Sequence, residues 1–330
     1  MGKKYTQVIK LLLLLFTLSA FFIPPLIGPA DVTISEAITD FQSLSGQILF
    51  QIRLPRIVFA FLAGASLALI GSVFQALLRN DLATPYTLGV SSGGAFGAVL
   101  AIKLGLDWSL LGFSSISLFS VLGSLMTISI IYMIARTQKG LSTYTLILAG
   151  VTISLFFSSL ILFVHYLADF TETYRMVQWI MGFLGVNHWS YPLIVFVFFL
   201  PVALFFIHRV PAFNLLIAGE DISYSKGVDV GRLQRWTFSL ASILVGVIVS
   251  IAGPIGFLGL IVPHLLRLLI GADHRALFPA VIVFGGAFLV WCDTFARTVI
   301  APAEIPVGII TSLLGGPFFI YLLIRHKRRF

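Results

Sequence analysis

Apolar runs recur along this chain at a length that a water-soluble fold does not sustain. A bilayer span needs about 20 mostly apolar residues. That window predicts ten helices, near 8–27, 57–78, 88–105, 110–135, 143–167, 190–208, 234–253, 255–270, 277–299 and 307–325. Lipid offers no hydrogen-bond partners, so each run must pair its own backbone groups and is helical. The eighth run is the shortest; Gly253, Pro254 and Gly256 before it favour a tight break over one long helix. The fold class is therefore all-α and polytopic. Composition agrees: 10% of the 330 residues are charged, against about 25% in soluble domains. The net charge of +8 comes from 21 basic residues scattered through an apolar chain, which speaks against a nucleic-acid partner. One cysteine, Cys292, excludes a disulfide within the chain.

Lys3, Lys4 and Lys10 followed by Leu11–Leu15 also fit the start of a secretory leader. The apolar run continues through Phe21, Phe22, Ile23 and Leu26, long for such a leader, so it is read as the first span. If ten spans alternate and both termini are cytoplasmic, sixteen of the 21 Lys and Arg fall inside and five outside, namely Arg53, Arg56, Lys103, Arg175 and Arg297. Basic residues favour the cytoplasmic side, which supports this orientation.

No composition shift marks a second domain, so residues 1–330 read as one transmembrane domain. The longest polar stretches are 31–56 outside and 209–235 inside. The first carries Asp31, Glu36 and Asp40 at helical spacing and predicts a surface helix. The second mixes charges with Gly219, Gly227 and Gly231 and predicts short helices separated by glycines. Arg53-Leu54-Pro55-Arg56 is faintly echoed by Arg232-Leu233-Gln234-Arg235, five spans later. An inverted repeat is one reading of the echo and chance is the other.

The chemistry is sparse. No Gly-x-x-x-x-Gly-Lys-Ser/Thr occurs, so no phosphate-cradling loop is encoded. The six His lie in separate segments without metal-ligand spacing, and no Gly-x-Ser-x-Gly elbow is present. An intramembrane enzyme is poorly supported. Ionisable groups within spans are costly and usually functional. Asp293 and Arg297 lie four apart on one helix face, which suits either a structural ion pair or a proton relay. Gly89, Gly93 and Gly97 repeat every fourth residue, a spacing that lets helices approach closely in lipid.

Two longer segments carry a resemblance. Residues 53–98 read Arg-Leu-Pro-Arg, Gly64 to Gly71, Gln75, Arg79-Asn80-Asp81-Leu82-Ala83-Thr84-Pro85, Leu88-Gly89 and Gly93-Gly94-Ala95. Residues 253–318 read Gly253-Pro254, Pro263-His264 with Arg267, Asp273-His274-Arg275, Asp293, Ala296-Arg297, Glu304-Ile305-Pro306 with Gly308, and Gly315-Gly316-Pro317. This resembles the FecCD-type permeases, membrane subunits of ABC importers for ferric siderophores, haem and cobalamin. The resemblance implies a type II permease fold with ten spans, two permease copies forming a homodimer, two cytosolic ATP-binding subunits and an extracytoplasmic substrate-binding protein. It implies no cofactor on this chain, with ATP and Mg acting on the partner ATPase, and a place in the cell inner membrane. The rival reading is a proton-coupled secondary transporter using Asp293 or Glu304.

The resemblance also implies roles. The 209–235 loop corresponds to the helices that couple to the ATPase, with Gly219, Glu220, Ser223, Gly227 and Val228 in the coupling segment. Ser223, Tyr224 and Lys226 depart from the family's usual Ala and apolar residues. Arg53, Arg56 and Arg297 match positions that dock the binding protein through its carboxylates. Asn80, Leu82, Ser142 and Thr143 fall where the family narrows the cytoplasmic mouth, and Asp81 stands where a proline is usual.

Overall fold

A computed structural model describes residues 3–110, 113–137, 140–186 and 188–327. Its helices in chain order are α1 (Lys3–Phe22), α2 (Ile34–Thr39), α3 (Leu44–Gln47), α4 (Leu54–Leu78), α5 (Val90–Lys103), α6 (Ser115–Ala135), α7 (Thr143–Tyr166), α8 (Phe170–Ile180), α9 (Ser190–His208), α10 (Val210–Ala218), α11 (Glu220–Ser225), α12 (Val230–Ala252), α13 (Leu258–Ile270), α14 (His274–Thr298) and α15 (Val307–Lys327). Strand pairing among the described residues is confined to two antiparallel bridges, Ser109–Leu110 with Phe113–Ser114 and Arg136–Thr137 with Gly140–Leu141. Six apolar helices are long enough to cross a membrane, and four shorter apolar helices accompany them. These are the ten predicted runs. At 1.5 Å per residue, the 13 residues of α13 reach only about 20 Å.

The 31–56 stretch departs from its expected single surface helix. Glu36 lies in α2, but α3 passes through a π-helical turn at Ile48–Arg53 straight into α4. Membrane-type apolar helix therefore begins at Leu44 rather than near 57.

The chain divides into two compact units, with two of the dividing points inside α4 and α9 and the other two in the segments after α8 and α12. The first comprises Met1–Leu69, Leu184–Phe199 and Gly256–Phe330. In it α14 packs on α1, with Phe16 and Phe284 rings 5.0 Å apart and Trp291 Nε1 donating to Ser19 Oγ at 3.2 Å. It also meets α4, where Gly64 and Gly285 face one another and a Cβ on either would overlap atoms of the other helix. Lipid tails give no hydrophobic drive for helix pairing, so such close van der Waals approach is what holds spans together.

The second unit comprises Ile70–Phe183 and Leu200–Ile255. Its centre is α5 against α6, with α7 and α12 alongside. Gly93 and Gly97 of α5 meet Gly123 and Phe119 of α6 backbone to backbone, as the four-residue glycine spacing predicts. Ser117 Oγ of α6 donates to the Ser250 carbonyl of α12 at 2.7 Å, so this buried hydroxyl is satisfied across helices.

Sequence reading did not single out α8, an amphipathic helix. It opens with a reciprocal capping box, Asp169 Oδ1 accepting from the Glu172 N–H and Glu172 Oε2 accepting from the Asp169 N–H. Its Met176 packs on Val99, Ile102 and Val164, and Lys103 Nζ donates to Glu172 Oε2 at 2.7 Å. That hydrogen bond holds the Glu172 carboxyl below its ordinary value. A depressed carboxylate contributes stability above its unfolded pKa and loses it as pH falls through the folded one. Acidification should therefore loosen α8, as read by fluorescence of a variant retaining only Trp179. Lys103→Met should be loose at neutral pH already and lack the acid step; an unchanged acid step in that variant would refute the assignment.

Candidate functional site

Two clusters of polar side chains stand out, one in each unit. The first lies where α4 and α14 come together. Arg56, in the first turn of α4, grips Asp293 of α14 with two nitrogens: Nη2 to Oδ1 at 2.8 Å and Nε to Oδ2 at 3.0 Å. Its third nitrogen, Nη1, donates to Glu304 Oε2 at 2.9 Å, in the segment between α14 and α15. Planar guanidinium geometry matches this two-pronged pairing, which an ammonium cannot reproduce. Arg297 sits one turn beyond Asp293. Its Nη2 donates to the Pro24 carbonyl at 2.8 Å, while its Nε stands 3.8 Å from Asp293 Oδ2. Arg53 Nη1 donates to the Pro25 carbonyl at 2.9 Å and its Nη2 to the Ala30 carbonyl.

All three arginines are buried, Arg53 to 3% and Arg297 to 3% exposure. The sequence analysis treats them as outward cations awaiting a partner's carboxylates. In the structure each is turned onto carboxylates or carbonyls of the chain itself, although the buried Nε of Arg297 has no hydrogen-bond partner among the described residues. The reason is energetic: a guanidinium taken out of water must be paired, and Asp293, Glu304 and the 24–30 carbonyls supply that pairing. The expected Asp293–Arg297 pair exists at 3.8 Å, but Asp293's principal partner is Arg56, 237 residues away in sequence. Nothing in local spacing signals that pairing; two costly charges in separate apolar runs are its trace.

The second cluster is built by the 209–235 segment. Helix α10 ends at Gly219, whose φ of 141° and ψ of 150° lie outside what an L-side chain adopts easily. Helix α11 follows and ends in a turn at Gly227, φ 79°. Asp229 then caps α12, its Oδ1 accepting from the Arg232 N–H at 2.8 Å. Short helices punctuated by glycine are as the sequence reading expects. Ser223 is fully buried, and its Oγ donates to the Gly219 carbonyl at 2.9 Å. The same Ser223 carbonyl accepts from the Val228 N–H at 3.0 Å. Ser223 thus ties both glycine turns together, a reason for its presence that sequence alone does not supply.

Glu220, first in α11, pairs through Oε1 with Arg79 Nη2 at 3.3 Å. Arg79 takes a left-handed φ of 48° just past the end of α4. The next residue, Asn80, donates its N–H to the Gln75 carbonyl at 3.1 Å and accepts from the Leu82 N–H through Oδ1 at 2.9 Å. The Asn80–Leu82 turn and α11 are therefore joined by one exposed ion pair. Leu82 itself is exposed. Ser142 caps α7, accepting from the Thr145 N–H at 3.3 Å. Thr143 begins that helix, but its side chain lies outside the described residues. Among the described residues no hydrogen bond joins Asn80 or Leu82 to Ser142. What brings the two segments near each other is Gly150 of α7, which packs on the Thr87 carbonyl and Leu88.

No group of His, Cys, Asp and Glu suited to a metal occurs among the described residues. With the geometry in place, comparison with known proteins is decisive. The profile of the FecCD transport family matches residues 11–325. The chain belongs to the FecCD transport family. The hemin transport system permease HmuU of Yersinia pestis is 38% identical over 86% of this chain and 84% of its own. The vitamin B12 import permease BtuC of Klebsiella pneumoniae is 36% identical over 87% of this chain and 86% of its own. A solved inward-facing structure, assigned to a metal-chelate type ABC transporter, superposes with a TM-score of 0.80. It is 33% identical and covers 97% of this chain and 98% of that one. This FecCD protein is thus a multi-pass membrane permease of an ABC importer, and ATP hydrolysis belongs to a separate ATPase subunit.

Proposed function

We propose that this FecCD chain is the gate of an importer that moves a ferric siderophore, haem or cobalamin-type ligand into the cytoplasm by alternating access. In this reading two copies form a homodimer in the cell inner membrane with both termini cytoplasmic. A substrate-binding protein delivers the ligand outside, and two ATP-binding subunits grip the 209–235 segment inside. The observation that carries the reading is the likeness, over 97% of the chain, to the metal-chelate transporter structure. The helix–glycine–helix build of 209–235 supports it, because a rigid protruding element is what a cleft in an ATPase can hold.

Arg53, Arg56 and Arg297 retain their docking role here by exchange: carboxylates of the binding protein would take over N–H donors now held by the chain's own groups. Asn80, Leu82, Ser142 and Thr143 remain the proposed inner constriction. The proton-coupled alternative loses ground. A relay carboxylate must meet water, whereas Asp293 is 2% exposed and both its oxygens accept from Arg56; that argument does not extend to Glu304, which is 27% exposed and accepts from Arg56 Nη1 at 2.9 Å.

Proteoliposomes test this. Permease with ATPase and binding protein should import the chelate only with ATP, and the permease alone should not respond to a proton gradient; proton-driven uptake by the lone chain would reject the reading. In the same system Glu220→Ala with Gly227→Ala should leave basal ATP hydrolysis running while lowering transport at least about tenfold. A Cβ at Gly227 forces strain at positive φ, so the α11 turn moves. Normal coupling would remove these residues from the ATPase interface.

A further inference from the structure

A cavity of about 310 Å³ lies in the second unit between the end of α6 and the start of α12, lined by Ile128, Ser129, Tyr132, Met133, Arg235, Phe238 and Ser239. Arg235 is the last residue of the 209–235 segment assigned to the ATPase, and the other lining residues lie outside that segment. Arg235 is five residues into α12, about 7.5 Å along the helix at 1.5 Å per residue. Tyr132 is three residues before the end of α6. Both residues therefore line one cavity, each roughly a turn inside the end of its helix. Among the described residues the side chains of Arg235, Tyr132 and Ser239 have no hydrogen-bond or ion-pair partner. Arg232, one turn earlier, is instead paired with Asp229 at 3.6 Å.

The remaining lining is Ser129, whose Oγ donates to the Leu125 carbonyl at 2.8 Å, with apolar Ile128, Met133 and Phe238. Ile128 and Phe238 are buried, and Met133 is 68% exposed on the outer wall. Trp236, beside Arg235, is 54% exposed, and Tyr144 at the start of α7 is 77% exposed. Exposed tryptophan and tyrosine at span ends mark headgroup depth. An exposed guanidinium without a partner among the described residues, beside the hydroxyls of Tyr132 and Ser239 at headgroup depth and next to apolar side chains, is complementary to one kind of occupant. We infer that this cavity binds an anionic phospholipid of the cytoplasmic leaflet, with its phosphate on Arg235, Tyr132 and Ser239 and its glycerol and upper acyl chain along Ile128, Met133 and Phe238. The placement in the cytoplasmic leaflet rests on the orientation proposed above.

The test is lipid retention by the full chain purified with its ATPase from mixed phosphatidylglycerol and phosphatidylcholine bilayers, read by native mass spectrometry. Wild type should retain phosphatidylglycerol over phosphatidylcholine. Arg235→Ala should lower that retention about tenfold, the worth of one charge-assisted hydrogen bond, and Tyr132→Phe should lower it less. Arg235→Lys should retain part of it at unchanged thermal stability, which separates binding from folding. Equal retention in Arg235→Ala overturns the proposal. So does displacement by inorganic phosphate, which would mean a soluble ligand, or protection of Ser239→Cys from labelling in lipid-stripped complex, which would mean a protein partner covers the cavity. Labelling of Lys226→Cys in sealed right-side-out vesicles checks orientation separately: reaction from outside sinks the topology, whereas lost lipid preference with correct sidedness sinks only the cavity assignment.

Discussion

Replacing Arg56 by alanine should cost about 3–5 kcal/mol of stability, enough to prevent recovery of folded protein from mild detergent. The loss comes from broken pairing rather than from a change in charge count. Asp293 and Glu304 direct four oxygens at one guanidinium, and Asp293 is 2% exposed. Truncation leaves a buried carboxylate with Arg297 at 3.8 Å as its remaining cation. Arg56→Lys should be intermediate, since a point charge cannot serve Asp293 and Glu304 in the forked geometry. Arg56→Met combined with Asp293→Leu should recover much of the loss, because a matched apolar pair needs no desolvation offset. Thermal unfolding followed by size-exclusion recovery checks the series. If Arg56→Ala were as stable as wild type, the cluster would not be holding α4 to α14. The same logic bears on the docking role: Arg56→Glu would set a third carboxylate against Asp293 and Glu304, so weakened binding of a partner would report misfolding. Arg53, which is held by carbonyls alone, is the cleaner position for a docking test.

The second large effect is expected at Gly123. A methyl group there would overlap the Gly93 carbonyl, and one at Gly97 would overlap the Phe119 carbonyl. Both obstacles are backbone, so neither can rotate away; α5 and α6 would have to separate. Overpacking in a tight core costs about 1–3 kcal/mol, and backbone clashes lie at the upper end or beyond. Gly123→Ala and Gly97→Ala should each lower the unfolding temperature and not add when combined, since both act on one interface. Gly231→Ala is the control. It sits in the first turn of α12 with only Asp229 Oδ1 at 3.7 Å nearby, and the better helix propensity of alanine should leave stability unchanged or slightly raised. Equal behaviour of Gly123→Ala and Gly231→Ala would refute the close-packing account.

These two sites show where sequence reading succeeds and where it stops. The α5–α6 seam was legible because glycines four apart share a helix face whatever that face meets. The ten apolar helices were legible for a similar reason: the bilayer fixes their length and forces helix. Helix α8 was missed although its signal was present, an Asp169-x-x-Glu172 box followed by apolar Met176, Trp179 and Ile180 at helical spacing. It was hidden by the adjacent longer apolar run. The echo of Arg53–Arg56 in Arg232–Arg235 is a match of letters whose surroundings differ. The first pair is buried among carbonyls and carboxylates, while the second is exposed. Four letters do not encode an environment.

What the sequence by itself determined is therefore the solvent and the class: apolar length prescribes membrane helices, and ordered motifs across residues 11–325 prescribe a FecCD permease. What the tertiary structure decided is which charges meet. Arg56, Asp293 and Glu304 are brought together from runs some 240 residues apart, and Arg79 meets Glu220 across 141 residues. Helix formation is local and is written in every window of the chain. Ion pairing between helices depends on how whole helices stack, and no window contains that.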